Sequence, residues 1–213
     1  WQGEDLADKT ILVWSEQGVG DEIMFANTLP ELVQNAEKVI IECNDRLVPV
    51  FERSFDSVTA VARQEPPDSK IENAAADFQI PIGSICKFYR KSVEEFPSDR
   101  AGYLTADSDL TAEIKARYAA LGDGMKVGIS WRSGNPIVGH QRSIPLEFWD
   151  EILSSDGCQF VNLQYGDVDE DLAGVLERTG VQVFKDDAVD PLTSAEEWFA
   201  QIQALDHVIS VDN

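Results

Sequence analysis

The chain has 213 residues, 43% of them hydrophobic, enough for one large or two small packed domains. Its 39 acidic against 17 basic residues leave a formal net charge of −22, which argues against nucleic-acid binding and against docking on anionic membranes. No apolar run approaches the roughly 18–20 residues of a membrane span, so none is expected.

In chain order, residues 10–14 are an apolar run that predicts a buried parallel strand. The run breaks at Gly18 and Gly20, and a helical pattern follows over 21–35. Residues 38–42 predict a second strand, 45–55 a short helix and 57–61 a third strand. Residues 63–76, with Pro66-Pro67, read as a loop, 77–80 as a short strand, and 82–85 as the start of another element. Residues 88–99 read as a solvated surface segment. An amphipathic helix over 109–121, ended by Gly122 and Gly124, reads as the junction between two units. A second series then begins, with a strand over 126–131, a loop over 132–143 and a helix over 145–154 whose Leu146, Trp149, Ile152 and Leu153 share a face. It continues with a strand over 159–164, a helix over 169–178, a strand over 181–184, a helix over 194–204 and a strand over 207–211.

Strands alternating with helices predict an α/β fold of two tandem Rossmann-like domains, over residues 1–122 and 123–213, with the second incomplete after its fourth strand. Neither carries a GxGxxG, which weakens a dinucleotide oxidoreductase. The opening Trp1-Gln2-Gly3-Glu4 shows no cleavable signal pattern and reads as the interior of a longer protein. Cys43, Cys86 and Cys158 are odd in number and form no CxxC, so they predict buried free thiols in a reducing, cytoplasmic setting.

Strand, glycine turn and helix start present backbone N–H groups to an anionic ligand. Asp21, in the first turn, is either a helix cap or a catalytic carboxylate at the end of the sheet where ligands bind. Arg132 and Arg142 are either a phosphate-meeting pair or part of a solvated loop. His140 reads as an exposed loop histidine and His207 as structural. Tyr165 either stacks on a ligand or packs, and Asp186-Asp187 reads as solvated surface. The stripe Trp198, Phe199, Ile202 and Leu205 reads as core.

The segments 14–25, 126–145 and 207–213 resemble glycosyltransferase family 9, the ADP-heptose heptosyltransferases, in the form found after tetratricopeptide (TPR) repeats in bacterial proteins. The resemblance implies a GT-B architecture and an inverting, metal-independent transfer from a nucleotide-diphosphate sugar, with no cofactor. Asp21 then matches the base that deprotonates the acceptor, in the glycine turn with Gly18 and Gly20. Arg142 matches the basic residue at the donor diphosphate, with Ser130, Arg132 and Ser143 as helpers. Asp212 matches the first residue of the D-[TS]-x-x-x-H-x-A motif, cut here after Asn213. Partners are then a nucleotide sugar, a glycan or protein acceptor, and proteins bound through upstream TPR repeats. The competing reading is a non-catalytic interaction module attached to such repeats. A nucleotide-using epimerase is a weaker third, because no acidic or histidine pair faces one cleft.

Overall fold

The computed structural model describes residues 1–97 and 102–212. Residues 98–101 and Asn213 lie outside the described residues, and with them the end of the segment expected over 88–99 and the last residue of the expected phosphate motif. Internal contacts divide the chain into two compact units, Trp1–Ala106 and Asp107–Asn213.

The first unit contains β1 (Thr10–Trp14), α1 (Val19–Phe25), α2 (Leu29–Asn35), β2 (Lys38–Cys43), α3 (Val48–Ser54), β3 (Val58–Ala62), α4 (Ser69–Glu72), β4 (Phe78–Pro81) and α5 (Cys86–Tyr89). Its strands are all parallel in the order β3-β2-β1-β4. Ile11, Val13, Val39, Ile40 and Ile41 are buried, the continuous apolar pattern of strands covered on both faces. The helix expected over 21–35 is broken by a 3₁₀ turn at Ala26–Thr28, because Pro30 in the first turn of α2 has no N–H for an unbroken α ladder. Pro49 likewise splits the helix expected over 45–55 into a 3₁₀ turn, Asp45–Leu47, and α3. The loop expected over 63–76 contains the single turn α4, capped by Asp68, which accepts from the Lys70 N–H at 2.8 Å.

The second unit contains α6 (Ser108–Ala119), β5 (Met125–Ser130), α7 (Asp150–Leu153), β6 (Cys158–Asn162), α8 (Asp169–Thr179), α9 (Ala195–Ala204) and β7 (His207–Ser210). Helix α6 was the expected junction. It packs on α9 inside the second unit, so the units divide before it and not after residue 122. The sheet is parallel in the order β6-β5-β7. The strand expected over 181–184 is not formed. Phe184 alone bridges Val161, exchanging 2.8 Å hydrogen bonds with the β6 backbone. The helix expected over 145–154 is a 3₁₀ turn, Leu146–Trp149, followed by the single turn α7. Ile152, expected on its buried face, is 40% exposed.

On α9 the expected stripe is only half-buried. The packed face is Ala195, Ala200 and Ala204, small enough to let α6 approach closely, with the buried Gln201 donating to the Tyr118 hydroxyl of α6 at 2.8 Å. Gly128 serves close approach within β5, since a Cβ there would lie 2.5 Å from the Leu163 side chain and 2.6 Å from that of Leu205.

With Phe184 outside β6, each unit follows the order third, second, first, fourth, and the order reverses between the first and fourth strands. Open α/β sheets take ligands at the carboxyl ends of the strands at that point. It falls between β1 and β4 in the first unit and between β5 and β7 in the second. Cys43 is buried, whereas Cys86 and Cys158 are half-buried, not fully buried as expected; all three are free thiols. Among the described residues no helix is long and apolar enough to cross a membrane.

Candidate functional site

In the first unit the carboxyl end of β1 runs into the glycine turn. Asp21 Oδ2 accepts from the Gly18 N–H at 3.2 Å, and the Asp21 N–H donates back to the Gly18 carbonyl at 3.0 Å. Asp21 is therefore a cap, yet it stays half-exposed and so reachable. An added Cβ at Gly18 would meet nothing closer than the Asp21 carboxylate at 3.7 Å, and one at Gly20 nothing within 4 Å, so the turn faces open space. Across the switch point sits Gly83, after β4. A Cβ there would come within 3.2 Å of the Phe25 ring and 3.3 Å of Glu16 Oε1, so only glycine fits without displacing them.

Glu22, beside Asp21, is 1% exposed. Its Oε2 accepts from the Asn44 N–H at 2.8 Å, and Oε1 is buried with no hydrogen-bond partner. Burial raises its carboxyl above the ordinary value of 4.5, against the opposing pull of the Asn44 hydrogen bond and of Arg63 and Arg46. Folding therefore favours the protonated form. The resulting penalty is absent well below 4.5 and grows as pH rises through the unfolded-state value towards the raised folded-state one. Glu22→Gln keeps an acceptor for Asn44. It should raise stability by on the order of 1 kcal/mol at neutral pH, with the gain vanishing near pH 4. Urea unfolding at the two pH values checks this, and an equal effect at both would refute it.

In the second unit Ser130 ends β5 and is buried; its hydroxyl donates to Gln164 Oε1 at 3.1 Å. The same oxygen accepts from the N–H groups of Trp131 at 3.0 Å and Arg132 at 2.8 Å. Gln164 thus ties the end of β6 to the start of the loop. Arg132 is paired with Asp171 and donates to the Asp167 carbonyl. Ser143 donates to the Gly139 carbonyl at 2.6 Å and accepts from the Ser133 N–H at 3.0 Å. Asn135 Oδ1 takes the N–H groups of Ile137 and Val138 at 2.9 and 3.0 Å. Most of the loop's donors are spent within the fold, so Ser130, Arg132 and Ser143 serve first to shape it.

Arg142 differs. Its Nε lies 3.2 Å from Asp212 Oδ2, with the two side chains 45% and 75% exposed. Two expected site residues, 70 positions apart in sequence, meet across the switch point between β5 and β7. His140, on the same loop, is exposed, as is His207 at the start of β7.

Two clefts open on this end of the unit. One of about 440 Å³ is bounded by Arg132, His140, Ser143, Glu147, Glu170 and Arg178. The other, of about 320 Å³, is bounded by Gln164, Tyr165, Lys185, Asp186, Asp190 and Gln201. Tyr165 clamps the loop: its hydroxyl accepts from the Gly134 N–H at 2.6 Å, and a Cβ on Gly134 would lie 2.7 Å from that oxygen. Asp186 corrects the expected solvated surface. It is buried and pairs with Arg117 of α6 at 2.9 Å, whereas Asp187 is exposed.

No protein-family model matches the chain. Protein FlbA of Caulobacter vibrioides is 34% identical over 226 aligned residues, an alignment that spans all of this chain and 38% of that protein. The chain thus spans about two fifths of the length of this curated relative. A glycosyl transferase family 9 structure from Veillonella parvula superposes with a TM-score of 0.64 at 12% identity, covering 96% of this chain and 76% of that one. The ADP-heptose lps heptosyltransferase II of E. coli gives 0.65 at 11% identity, covering 96% and 79%. The fold is that of a family 9 glycosyltransferase. At such identities the likeness speaks for the fold, an α/β fold with parallel sheets, and not for the reaction. Glu22, Gly83, Gln164 and the Tyr165 clamp carry no sequence signal of their own, since each is defined by partners distant in the chain.

Proposed function

We propose that this chain is part of a nucleotide-sugar-dependent glycosyltransferase of GT-B type, inverting and metal-independent. Asp21 acts as the base on an acceptor hydroxyl, and Arg142 meets the negative charge that develops on the leaving diphosphate. The observation that carries this reading is Arg142 with Asp212 at the switch point of the second sheet, where an anionic ligand is expected. Asp21 holds the corresponding place in the first unit. The fold likeness supports the same reading.

The test is calorimetric titration of ADP, UDP and GDP into this chain. Saturable binding of one of them is expected, weakened about tenfold to a hundredfold by Arg142→Ala, the range for losing a charge-assisted contact. No binding of any nucleotide refutes the transferase reading. A non-catalytic interaction module, with partners reached through TPR repeats, is then the better account. The internal commitments of Ser130, Arg132 and Ser143 are the observation in its favour. The acceptor, glycan or protein, belongs to the proposal.

A further inference from the structure

We infer that Asp212 is the positioning residue for Arg142, acting on the donor diphosphate through that guanidinium. The inference deepens the transferase reading and rests on it for what Arg142 meets, a diphosphate. An ionised carboxylate has no hydrogen to donate, and placed against a diphosphate it repels. It is thus no ligand for the diphosphate itself, and the contact the structure shows for it lies 3.2 Å from Arg142 Nε. That contact engages one edge of the guanidinium. The contact is an ion pair, not a hydrogen bond, and it leaves the terminal Nη nitrogens, the forked end that phosphate takes in a bidentate manner, facing away from Asp212 Oδ2 as the more distant atoms.

The need for such a hold follows from the loop around it. Gln164, Asp171, Ser143 and Tyr165 fix the segments on either side of Arg142. Arg142 itself follows a 3₁₀ turn, Gly139–Gln141, with a side chain nearly half exposed. A free arginine loses rotamer entropy on being fixed. A carboxylate that restricts it beforehand removes part of that loss from the binding step. Asp212 suits the task because it follows β7, whose register with β5 places Ser210 opposite Ser130. The Val211 N–H then donates to the Ser130 carbonyl at 3.2 Å, which fixes the backbone one residue before the carboxylate.

Two measurements test the inference. The first follows the Arg142 Nε–H resonance by ¹⁵N NMR in the unliganded chain. Asp212→Asn should shift it and speed its exchange with water, and Asp212→Glu should restore it in part. An unmoved resonance overturns the inference whether or not nucleotide binds. The second is titration of ADP, UDP and GDP into the same variants, with thermal melting to confirm that each is folded. Asp212→Asn should weaken the nucleotide that binds by about threefold to tenfold, at a melting temperature unchanged from the parent. If Asp212 merely stands near the phosphate, removing its charge tightens binding, and that sign overturns the inference while leaving the transferase reading in place. Absence of binding by the parent chain counts against the transferase reading and leaves the resonance to decide the positioning role.

Discussion

Asp21→Asn is expected to abolish sugar transfer while leaving the chain folded. Asparagine keeps a side-chain oxygen that can accept from the Gly18 N–H, so the cap at the start of α1 survives. It removes the negative charge and the proton-accepting capacity that general-base catalysis requires. Loss of a positioned base lowers the chemical step by about 10²–10⁴-fold. Stability should fall by no more than about 1 kcal/mol, the scale of losing one carboxylate charge from the first turn of a helix. The measurement is single-turnover release of nucleoside diphosphate from whichever of the ADP-, UDP- or GDP-sugars the parent chain consumes, with urea unfolding in parallel. Undiminished turnover by the variant would make Asp21 a cap and nothing more.

The contrast between Asp21 and Ser130 shows where the sequence stops being legible. Asp21 is read from a local pattern, because strand, glycine turn and helix lie within 16 residues and their geometry follows from propensity and chirality. Ser130 also stands at a strand end, but its role depends on Gln164, 34 positions on, and a glutamine ending a strand looks like any other polar residue. Arg132 is claimed by Asp171, 39 positions on, and Asp186 by Arg117, 69 positions back. An acidic stretch reads as solvated surface until the basic partner that buries it is known. The strands were legible because fully covered parallel strands are continuous apolar runs, and 10–14 is recovered at both ends. The helix breaks at Pro30 and Pro49 were missed, because the apolar periodicity over 21–35 and 45–55 masked them. Residues 181–184 carry a strand's composition. Phe184 alone pairs with β6, since apolar content sets burial and not the number of ladder bonds.

Arg90→Met is expected to destabilise the first unit more than any other single change considered above. Arg90 follows α5, and its side chain is 2% exposed. It pairs with Glu31 of α2 at 2.6 Å, donates to the carbonyls of Asn27 at 2.9 Å and Tyr89 at 2.7 Å, and lies 5.6 Å from the centre of the Phe96 ring. Methionine replaces the stem but none of these contacts. It strands a carboxylate that is about one third exposed and two carbonyls that have lost their donor. Removing one partner of a buried pair costs about 3–5 kcal/mol. Glu31 retains some water, and Arg90 Nε is itself buried without a partner, so the lower end applies, about 3 kcal/mol. Arg90→Lys should recover less than half of that, because a single ammonium cannot span a carboxylate and two carbonyls in the guanidinium's geometry. Adding Glu31→Gln to Arg90→Met should return part of the loss, since the stranded charge is then gone. Urea unfolding of the four proteins checks the set, and a loss below about 0.5 kcal/mol for Arg90→Met, the scale of a surface substitution, would show the pair to be ornamental. The site would feel the change as well. Asn27 and Glu31 lie on the turn and helix that continue α1, so the same guanidinium that stabilises the unit also holds the base of the helix on which Asp21 is presented.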